Sequence, residues 1–367
     1  MRQIFGLSNP AVKALRSLRD KKHRRREGRF LAEGLRLLTD ARESGRLPET
    51  LALAEGRASH PLLDELIAAV EGAGGDVLEL SEAALAKVTG KSNPQAVCGA
   101  FAEFDTALQR IDRTAAPLFL VAHAMRDPGN LGTMLRTADA VGAGGVILID
   151  DGADPFSVEA VRASMGAIFT VPLAQARWED FVVWLRQDEP LGGPNSAADK
   201  SGAEKSVAQE AIHRGQTSDR PKKPNGLSRS SGSGVDRAPA LSADAQPQLH
   251  ASPSGPAPSG DEVSLADLRS TRSTYRPRGP AQLGPAQLVA ASLRNSCDYR
   301  LAAYHAPCFI LVGNESRGLP RPYEDACDLR VTIPMLGRAD SLNAAVAGAV
   351  LAYEALARLN ASRPNGE

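Results

Sequence analysis

The sequence predicts an α/β protein built on a parallel sheet. Residues 117–150 follow the order strand, helix, strand, which is the building unit of a parallel sheet. Two more apolar runs, at 309–312 and 331–333, have the length of buried strands, and each ends in a polar loop rich in Gly, Asn and Ser. The 367 residues are 43% hydrophobic, which is enough for at least one sizeable core. Ligands of such proteins bind where the strands end.

The N-terminal third, residues 1–105, predicts a small α/β domain of its own. It begins with a basic segment, which is followed by apolar residues at helical spacing over 30–38. Short apolar runs lie at 51–54 and 77–80. Ser81 is a suitable N-cap for a helix over 81–88, and a strand is expected over 96–101.

A polar stretch, residues 106–116, predicts a linker to a second α/β domain over 117–360. The loop at 127–130 joins its first strand to its first helix. The elements expected before the chain changes composition are strands at 117–122, 145–150 and 167–171 and helices at 131–141, 158–165 and 178–185. One more strand is expected at 287–292.

Residues 188–284 differ from the rest in composition. They are dominated by Ser, Gly, Pro, Ala and charged residues, and Tyr275 is their only aromatic residue. Such a segment buries too little apolar surface to offset its ordering entropy, so it predicts a disordered insertion. The unit after it is too small to bury its own faces. The insertion therefore interrupts the second domain, and loop closure makes this tolerable because its cost grows only logarithmically with length.

Charge and cysteine usage narrow the class of protein. The net charge is zero, but cations crowd the N-terminus, and this patch suits either RNA or a solvated helix face. The four cysteines are far apart, which favours reduced, buried thiols over a zinc site or disulfides. No apolar leader or membrane span is evident, so a cytoplasmic protein is expected. The candidate RNA contacts are Lys13, Arg19, Lys21, Lys22, Arg24 and Arg25.

Three clusters of polar residues could carry chemistry. Asn130 follows the first strand of the second domain, as an N-cap would, and Arg136 lies about one and two-thirds turns further along the helix. Glu315 follows Gly313 and Asn314 at the end of a strand. Ser341 could cap a helix of small residues, and Asn343 would lie in its first turn. Taken singly, each cluster is explained at least as well by helix capping, a turn or a surface ion pair.

In this order and spacing, the three clusters resemble the TrmH/SpoU branch of the SPOUT methyltransferases. The resemblance covers residues 117–188 and 285–360. A weaker resemblance joins residues 1–105 to an L30e-like RNA-binding domain, mainly through Phe30-Leu31-Ala32-Glu33-Gly34 and Asn93-Pro94-Gln95. The resemblance to the SPOUT methyltransferases implies methyl transfer from S-adenosylmethionine to a ribose 2′-hydroxyl of structured RNA, with ribosomal RNA favoured over transfer RNA. It also implies a homodimer and a deep trefoil knot, formed around residues 313–343.

The resemblance also implies the site residues. The catalytic and substrate-positioning set is Asn130, Arg136, Glu315, Ser341 and Asn343. The cofactor-binding set is Leu311, Gly313, Asn314, Ile333, Met335 and Leu342, and no metal is required. This chain departs from the family pattern at Ser316 and Arg317, which change the charge beside the cofactor loop.

The role of Arg136 can be limited by its pKa. Neutralising an arginine at pH 7 costs about 8 kcal/mol, so we expect Arg136 to bind phosphate and stabilise the developing alkoxide and not to act as a free base. Two other functions compete with methyl transfer. One is a non-catalytic RNA-binding module, which the intact polar set disfavours. The other is a dehydrogenase, which the absence of GxGxxG after the first strand disfavours.

Overall fold

The computed structural model of the chain describes residues 1–56, 60–187 and 284–361, and these residues form two sheets. The predicted disordered insertion lies outside the described residues, apart from Gly284 at its end. Across the described ranges, no helix combines the length and the apolar character needed to cross a membrane.

The first sheet has five strands and confirms a small α/β unit at the N-terminus. Its spatial order is β1-β4-β3-β5-β2, where β1, β4 and β3 are parallel and β5 is antiparallel to both of its neighbours. The strands in chain order, β1 to β5, are Arg2–Ile4, Arg29–Glu33, Thr50–Ala54, Asp76–Leu80 and Val97–Ala102.

Helices cover both faces of the first sheet. In chain order, α1 to α5 are Pro10–Ser17, Lys21–Glu27, Leu35–Glu43, Pro61–Gly72 and Glu82–Thr89. Helices α1 and α5 pack on one face through residues such as Leu15 and Leu85, and α3 and α4 pack on the other through residues such as Leu38 and Leu66. Ser81 caps α5 as predicted, because its hydroxyl accepts a hydrogen bond from the Ala84 amide.

The predicted continuous helix over residues 30–38 is wrong. Residues up to Glu33 belong to β2, and α3 starts only at Leu35. Gly34 separates the two elements at φ 110°, a conformation that residues other than glycine rarely adopt. The run Phe30-Leu31-Ala32 is buried throughout, as expected for an inner strand segment, and helical spacing alone could not distinguish the two structures.

The second sheet has seven strands, all parallel, as the sequence predicts. Its order is β10-β12-β9-β11-β6-β7-β8. The strands in chain order, β6 to β12, are Leu118–His123, Val146–Ile149, Leu173–Ala176, Gln287–Ala291, Cys297–Asp298, Cys308–Val312 and Leu329–Thr332. Cys98, Cys308 and Cys327 are buried free thiols, whereas Cys297 is half-buried.

Helices also pack around the second sheet. In chain order, α6 to α11 are Pro128–Ala140, Val158–Ala163, Ala167–Thr170, Trp178–Leu185, Arg321–Asp325 and Ala344–Ala361, and a short 3₁₀ helix spans Leu108–Arg110. The strand predicted over 167–171 is wrong, because α8 occupies it and β8 follows. Gly166, at φ 97°, opens this turn, and the short apolar run was compatible with either structure.

The register of the second sheet places four strand ends at one edge. Val312 at the end of β11 pairs with Ala122 in β6, and Ala291 at the end of β9 pairs with Val331 in β12. The loops that follow these strands therefore meet. The small-residue helix α11 packs closely beside them, where a Cβ on Gly348 would lie 3.4 Å from both Met134 and Val312.

Candidate active site

Glu315 is the centre of a polar network at this edge. Its Oε1 accepts hydrogen bonds from the Asn130 side-chain amide at 3.1 Å and the Asp127 backbone amide at 3.3 Å. Its Oε2 accepts from the Arg126 backbone amide and from the side-chain amide of Asn314, both at 3.3 Å. Each carboxylate oxygen therefore holds two donors.

Asn343 joins this network from the start of α11. Its Nδ2 donates to Asn130 Oδ1 at 2.8 Å, while its Oδ1 accepts from the amides of Ala345 and Val346 at 2.9 and 3.2 Å. These contacts fix the orientation of both asparagine amides. Each Nδ2 still has one N–H that is not used in this chain of hydrogen bonds, and it can be offered to a substrate.

The helix caps at this edge differ from the predicted ones. Asp127, not Asn130, caps α6, and it accepts from the Asn130 backbone amide at 2.7 Å. Asn343, not Ser341, caps α11. Asp127 directly precedes Pro128, the first residue of α6. Asn343 directly precedes α11, whereas Ser341 lies two residues before Asn343. The residue that caps each helix is therefore determined by where the helix begins.

The Glu315 carboxyl is held in its ionised form. Burial alone would raise its pKa, but the hydrogen bonds from Asn130 and from the backbone amides outweigh burial and hold the pKa below its usual value. At neutral pH, the group is therefore a hydrogen-bond acceptor and not a proton donor. Its function in the network is to fix the positions of the groups that donate to it.

The loop after β11 is closed on itself. Asn314 and Gly318 exchange backbone hydrogen bonds at 2.9 and 3.2 Å. The Asn314 side chain donates to the Ala124 carbonyl at 2.7 Å, which ties the loop to the end of β6. A Cβ on Gly313 would lie 2.5 Å from the Gly318 carbonyl carbon, so glycine is required for this close approach.

A cavity of about 360 Å³ lies beside the network, between this loop, the end of β9 and the start of α11. Leu311 is absent from the lining of this cavity, because its side chain is buried in the apolar core on one face of the sheet. The predicted residues that do line it are Gly313, Asn314, Glu315, Ile333, Met335, Ser341 and Leu342.

Sequence reasoning missed the far wall of the cavity. Glu324 is 6% exposed and accepts hydrogen bonds from Ser292 at 2.7 Å and Arg294 at 3.3 Å, and all three residues line the cavity. Ser292 and Arg294 directly follow β9, so the rule that ligands bind at strand ends would have found them. Glu324 lies in the short helix α10, which no sequence pattern had indicated.

Arg136 lies apart from the network in this chain. It is exposed on α6, and it is absent from the lining of the cavity. Because Asn130 is inside the helix, a spacing of six residues separates the two side chains by about 120° around the helix axis. One chain could bring the side chains of Asn130 and Arg136 to one site only if Asn130 lay outside the helix, and it lies inside.

The N-terminal cations do not all belong to one surface. Lys13, Arg19, Lys21, Lys22 and Arg25 are exposed. Arg24 is only 2% exposed, and the structure therefore removes it from the predicted RNA contacts: its guanidinium turns inward to pair with a carboxylate. Within the described ranges, no group of three or more His, Cys, Asp or Glu residues could hold a metal ion.

Two family models match the chain. The model of the SpoU rRNA Methylase family matches residues 117–205 and 280–353. The model of the MRM3-like substrate binding domain matches residues 9–99.

Individual relatives agree with these matches. The 23S rRNA (guanosine(2553)-2′-O)-methyltransferase RlmP of Bacillus subtilis is 33% identical, over 51% of this chain and 71% of its own length. The mitochondrial rRNA methyltransferase 3 of Xenopus tropicalis is 27% identical, over 92% of this chain and 71% of its own. A crystal structure of an AdoMet-bound rRNA methyltransferase from Sinorhizobium meliloti is 30% identical, covers 98% of both chains and has a TM-score of 0.66. The chain belongs to the SpoU rRNA methylase family.

Proposed function

We propose that this protein transfers a methyl group from S-adenosylmethionine to a ribose 2′-hydroxyl of structured RNA, with ribosomal RNA as the preferred substrate class and transfer RNA as the second. The observation that supports this most directly is the cavity lined by Glu315, whose carboxylate holds the Asn130 amide, which in turn bonds Asn343. A ligand-sized space thus lies beside two oriented amides, which are themselves outside its lining.

The cavity fits S-adenosylmethionine in size and chemistry. Its volume of about 360 Å³ falls in the range of small-molecule sites. Ile333, Met335 and Leu342 offer apolar surface for a purine, and the close backbone approach at Gly313 lets main-chain groups face the ligand. When bound, the cofactor supplies an electrophilic methyl group on a sulfonium centre.

The chain's own residues would align the acceptor. The free N–H groups of Asn130 and Asn343 would orient the ribose hydroxyls. Glu315 would hold the Asn130 amide directly and the Asn343 amide through Asn130. Ser341 is exposed at the rim of the same cavity and would contact the substrate there. Arg136 would bind a phosphate and stabilise the developing alkoxide, because removing its proton costs about 8 kcal/mol at pH 7.

A homodimer is part of this proposal. Arg136 is exposed and outside the cavity of its own chain, so a partner's site could receive it. Val346 and Tyr353 are 46% and 56% exposed, and their spacing of seven residues puts them on one face of α11. Such an apolar face suits a second copy of the chain.

The proposal also includes the predicted domain boundaries, the knot and the cellular location. We assign residues 1–105 to RNA binding, 106–116 to a linker and 117–360 to methyl transfer, interrupted over 188–284. The trefoil knot around residues 313–343 and the cytoplasmic location also stay predictions.

The function is tested by incubating the purified protein with ribosomal RNA from a strain lacking it and with S-adenosylmethionine labelled in the methyl group. Nucleoside mass spectrometry should find the label in one 2′-O-methylnucleoside. Label on a base would contradict ribose chemistry. RNA binding without any transfer, to ribosomal or transfer RNA, would favour the non-catalytic binding module.

Reversing three exposed cations of α2, through Lys21→Glu, Lys22→Glu and Arg25→Glu, should weaken RNA binding and leave cofactor affinity unchanged. Each lost phosphate contact should reduce the slope of log K against log salt by about 0.7 to 0.9. Filter binding over a salt series measures this. The matched variant with three glutamines separates loss of attraction from new repulsion. Unchanged RNA affinity in both variants would remove the patch from the RNA-binding surface.

A further inference from the structure

Helix α2 carries one cation that faces inward. Arg24 is 2% exposed, although its neighbours Arg25 and Arg26 are exposed. Its Nη1 donates to the carbonyl oxygens of Leu18 and Arg19 at 2.9 and 2.8 Å, and its Nη2 donates to the Asp154 carboxylate at 2.6 Å. The planar guanidinium is thus fixed by three acceptors, which gives the contact a defined direction.

Asp154 lies 130 residues after Arg24 in the sequence, between β7 of the second sheet and α7. Its Oδ1 accepts from the Phe156 amide at 2.9 Å, so this carboxylate is also held in place by its own loop. The pair therefore joins the cationic helix α2 directly to the segment that begins α7. Arg24 is buried and Asp154 is partly buried, with side chains 3% and 12% exposed.

Aromatic side chains also pack between the two parts of the chain, but their contacts are less directional than the ion pair. Phe30 of β2 lies 5.0 Å from Phe156 and 6.0 Å from Phe169, measured between ring centroids, and Phe101 lies 4.9 Å from Phe169. Such contacts bring the two parts together, but apolar attraction has little directional preference. The ion pair adds the orientation that the rings leave loosely defined.

Stability alone does not explain a buried ion pair. Desolvating both charges costs about as much as their attraction returns, and an apolar pair of similar volume is often as stable. Glu103 lies near as well: burial, and then repulsion from Asp154, raise the pKa of its carboxyl. Glu103 also interacts electrostatically with Arg24, so a variant at Asp154 would still have an acidic side chain near this cation.

We propose that the Arg24–Asp154 pair is a positioning contact, which sets the orientation of the RNA-binding helix α2 relative to the methyl-transfer site and so determines which nucleotide of a bound RNA reaches that site. Arg24 and Asp154 act through α2 and α7 and do not touch the substrate. The inference rests on the proposed function, because it assumes that α2 binds the RNA that is methylated.

The test is the nearly isosteric substitution Asp154→Asn in the full chain. The exposed cations are unchanged, so RNA affinity by filter binding and S-adenosylmethionine affinity should stay within about twofold of wild type. Misplacement of the acceptor should lower kcat/KM for RNA by about 10- to 100-fold. Position-resolved sequencing of 2′-O-methyl sites should find methylation spread to neighbouring nucleotides. Arg24→Lys, which keeps the charge and loses the planar fork, should act in the same direction.

The matched control is Glu65→Gln, which removes the more exposed Arg42–Glu65 pair of 2.7 Å within the N-terminal unit and should change none of these quantities. Wild-type rate and position specificity in Asp154→Asn would overturn the inference. A parallel loss of RNA affinity, cofactor affinity and melting temperature would also overturn it, in favour of a purely structural role.

A hydroxyl-radical footprint of the RNA complexes separates this inference from the proposed function, since it needs no methyl transfer. We expect Asp154→Asn to keep the RNA protection given by α2 and to lose part of the protection given by residues 117–187 and 284–361. Identical footprints would overturn the inference. If the two footprints differ in this way but the wild-type protein methylates no RNA, the proposed function alone is contradicted.

Discussion

Replacing Glu315 with glutamine is expected to lower the rate of methyl transfer by about 100- to 1000-fold, the usual effect of removing one preorganised polar group from an active site. Each carboxylate oxygen accepts two hydrogen bonds: Oε1 from Asp127 and Asn130, Oε2 from Arg126 and Asn314. Whichever way the new amide turns, its NH₂ group must face two donors. The network therefore opens, and the Asn130 amide loses its orientation.

Single-turnover kinetics with saturating RNA and S-adenosylmethionine measure this effect on the chemical step. Glu354→Gln is the control, because it removes an equally conservative charge from the exposed ion pair with Arg358 on α11. That variant should transfer methyl at the wild-type rate. Wild-type kinetics in Glu315→Gln would mean that the network does not position the acceptor.

The pH dependence follows from the lowered pKa of Glu315. A group whose pKa is lower in the folded protein stabilises it above the pKa of the unfolded chain, and this contribution is lost as the pH falls through the folded value. The network should therefore persist to lower pH than it would with an unperturbed glutamate. In rate measurements on the wild type, any acid loss of activity caused by Glu315 should have its midpoint below about pH 4.3, its reference value.

The substitution Gly313→Ala is expected to abolish detectable cofactor binding. Its Cβ would lie 2.5, 2.7 and 2.8 Å from the Gly318 carbonyl carbon, the Leu319 amide nitrogen and the Gly318 carbonyl oxygen. All three are backbone atoms, so the loop must move instead of a side chain turning aside. Overpacking of this kind costs about 1 to 3 kcal/mol. The movement would separate Asn314 from Gly318 and shift the wall of the cavity.

Isothermal titration calorimetry with S-adenosylmethionine, together with a thermal melt, measures both consequences. Gly337→Ala is the matched control: a Cβ at Gly337 would meet no atom of the described residues within 4 Å, and its φ is not in the left-handed region. It should bind the cofactor like the wild type. Unchanged affinity in Gly313→Ala would show that the loop does not form the cofactor wall.

Long, regular elements were predictable because one pattern dominated them. Helix α9 lies at the predicted residues 178–185, and the parallel order of β6 and β7 followed from the strand, helix, strand sequence. Short apolar runs failed. Residues 30–33 and 167–170 are largely buried, so periodicity carries little information there, and the glycines at 34 and 166 decide the structure through their backbone conformations.

The site was predictable where it depends on strand ends. Glu315, Ile333 and Asn130 all follow parallel strands, whose carboxyl ends meet at one edge. The contact between Asn130 and Asn343 joins residues 213 positions apart, and no local pattern determines it. The burial of Arg24 was equally hidden, because its inward position depends on Asp154 in another part of the chain.

Asn343 has two partners at once, the first turn of the 18-residue helix α11 and the side chain of Asn130. The helix start and the site therefore form together. Contacts between such distant residues are entropically costly to close and are expected to form late in folding. A chain whose last helix has not yet docked would lack an oriented acceptor site. Incompletely folded molecules would then transfer no methyl group, so methylation would be confined to molecules whose last helix is in place.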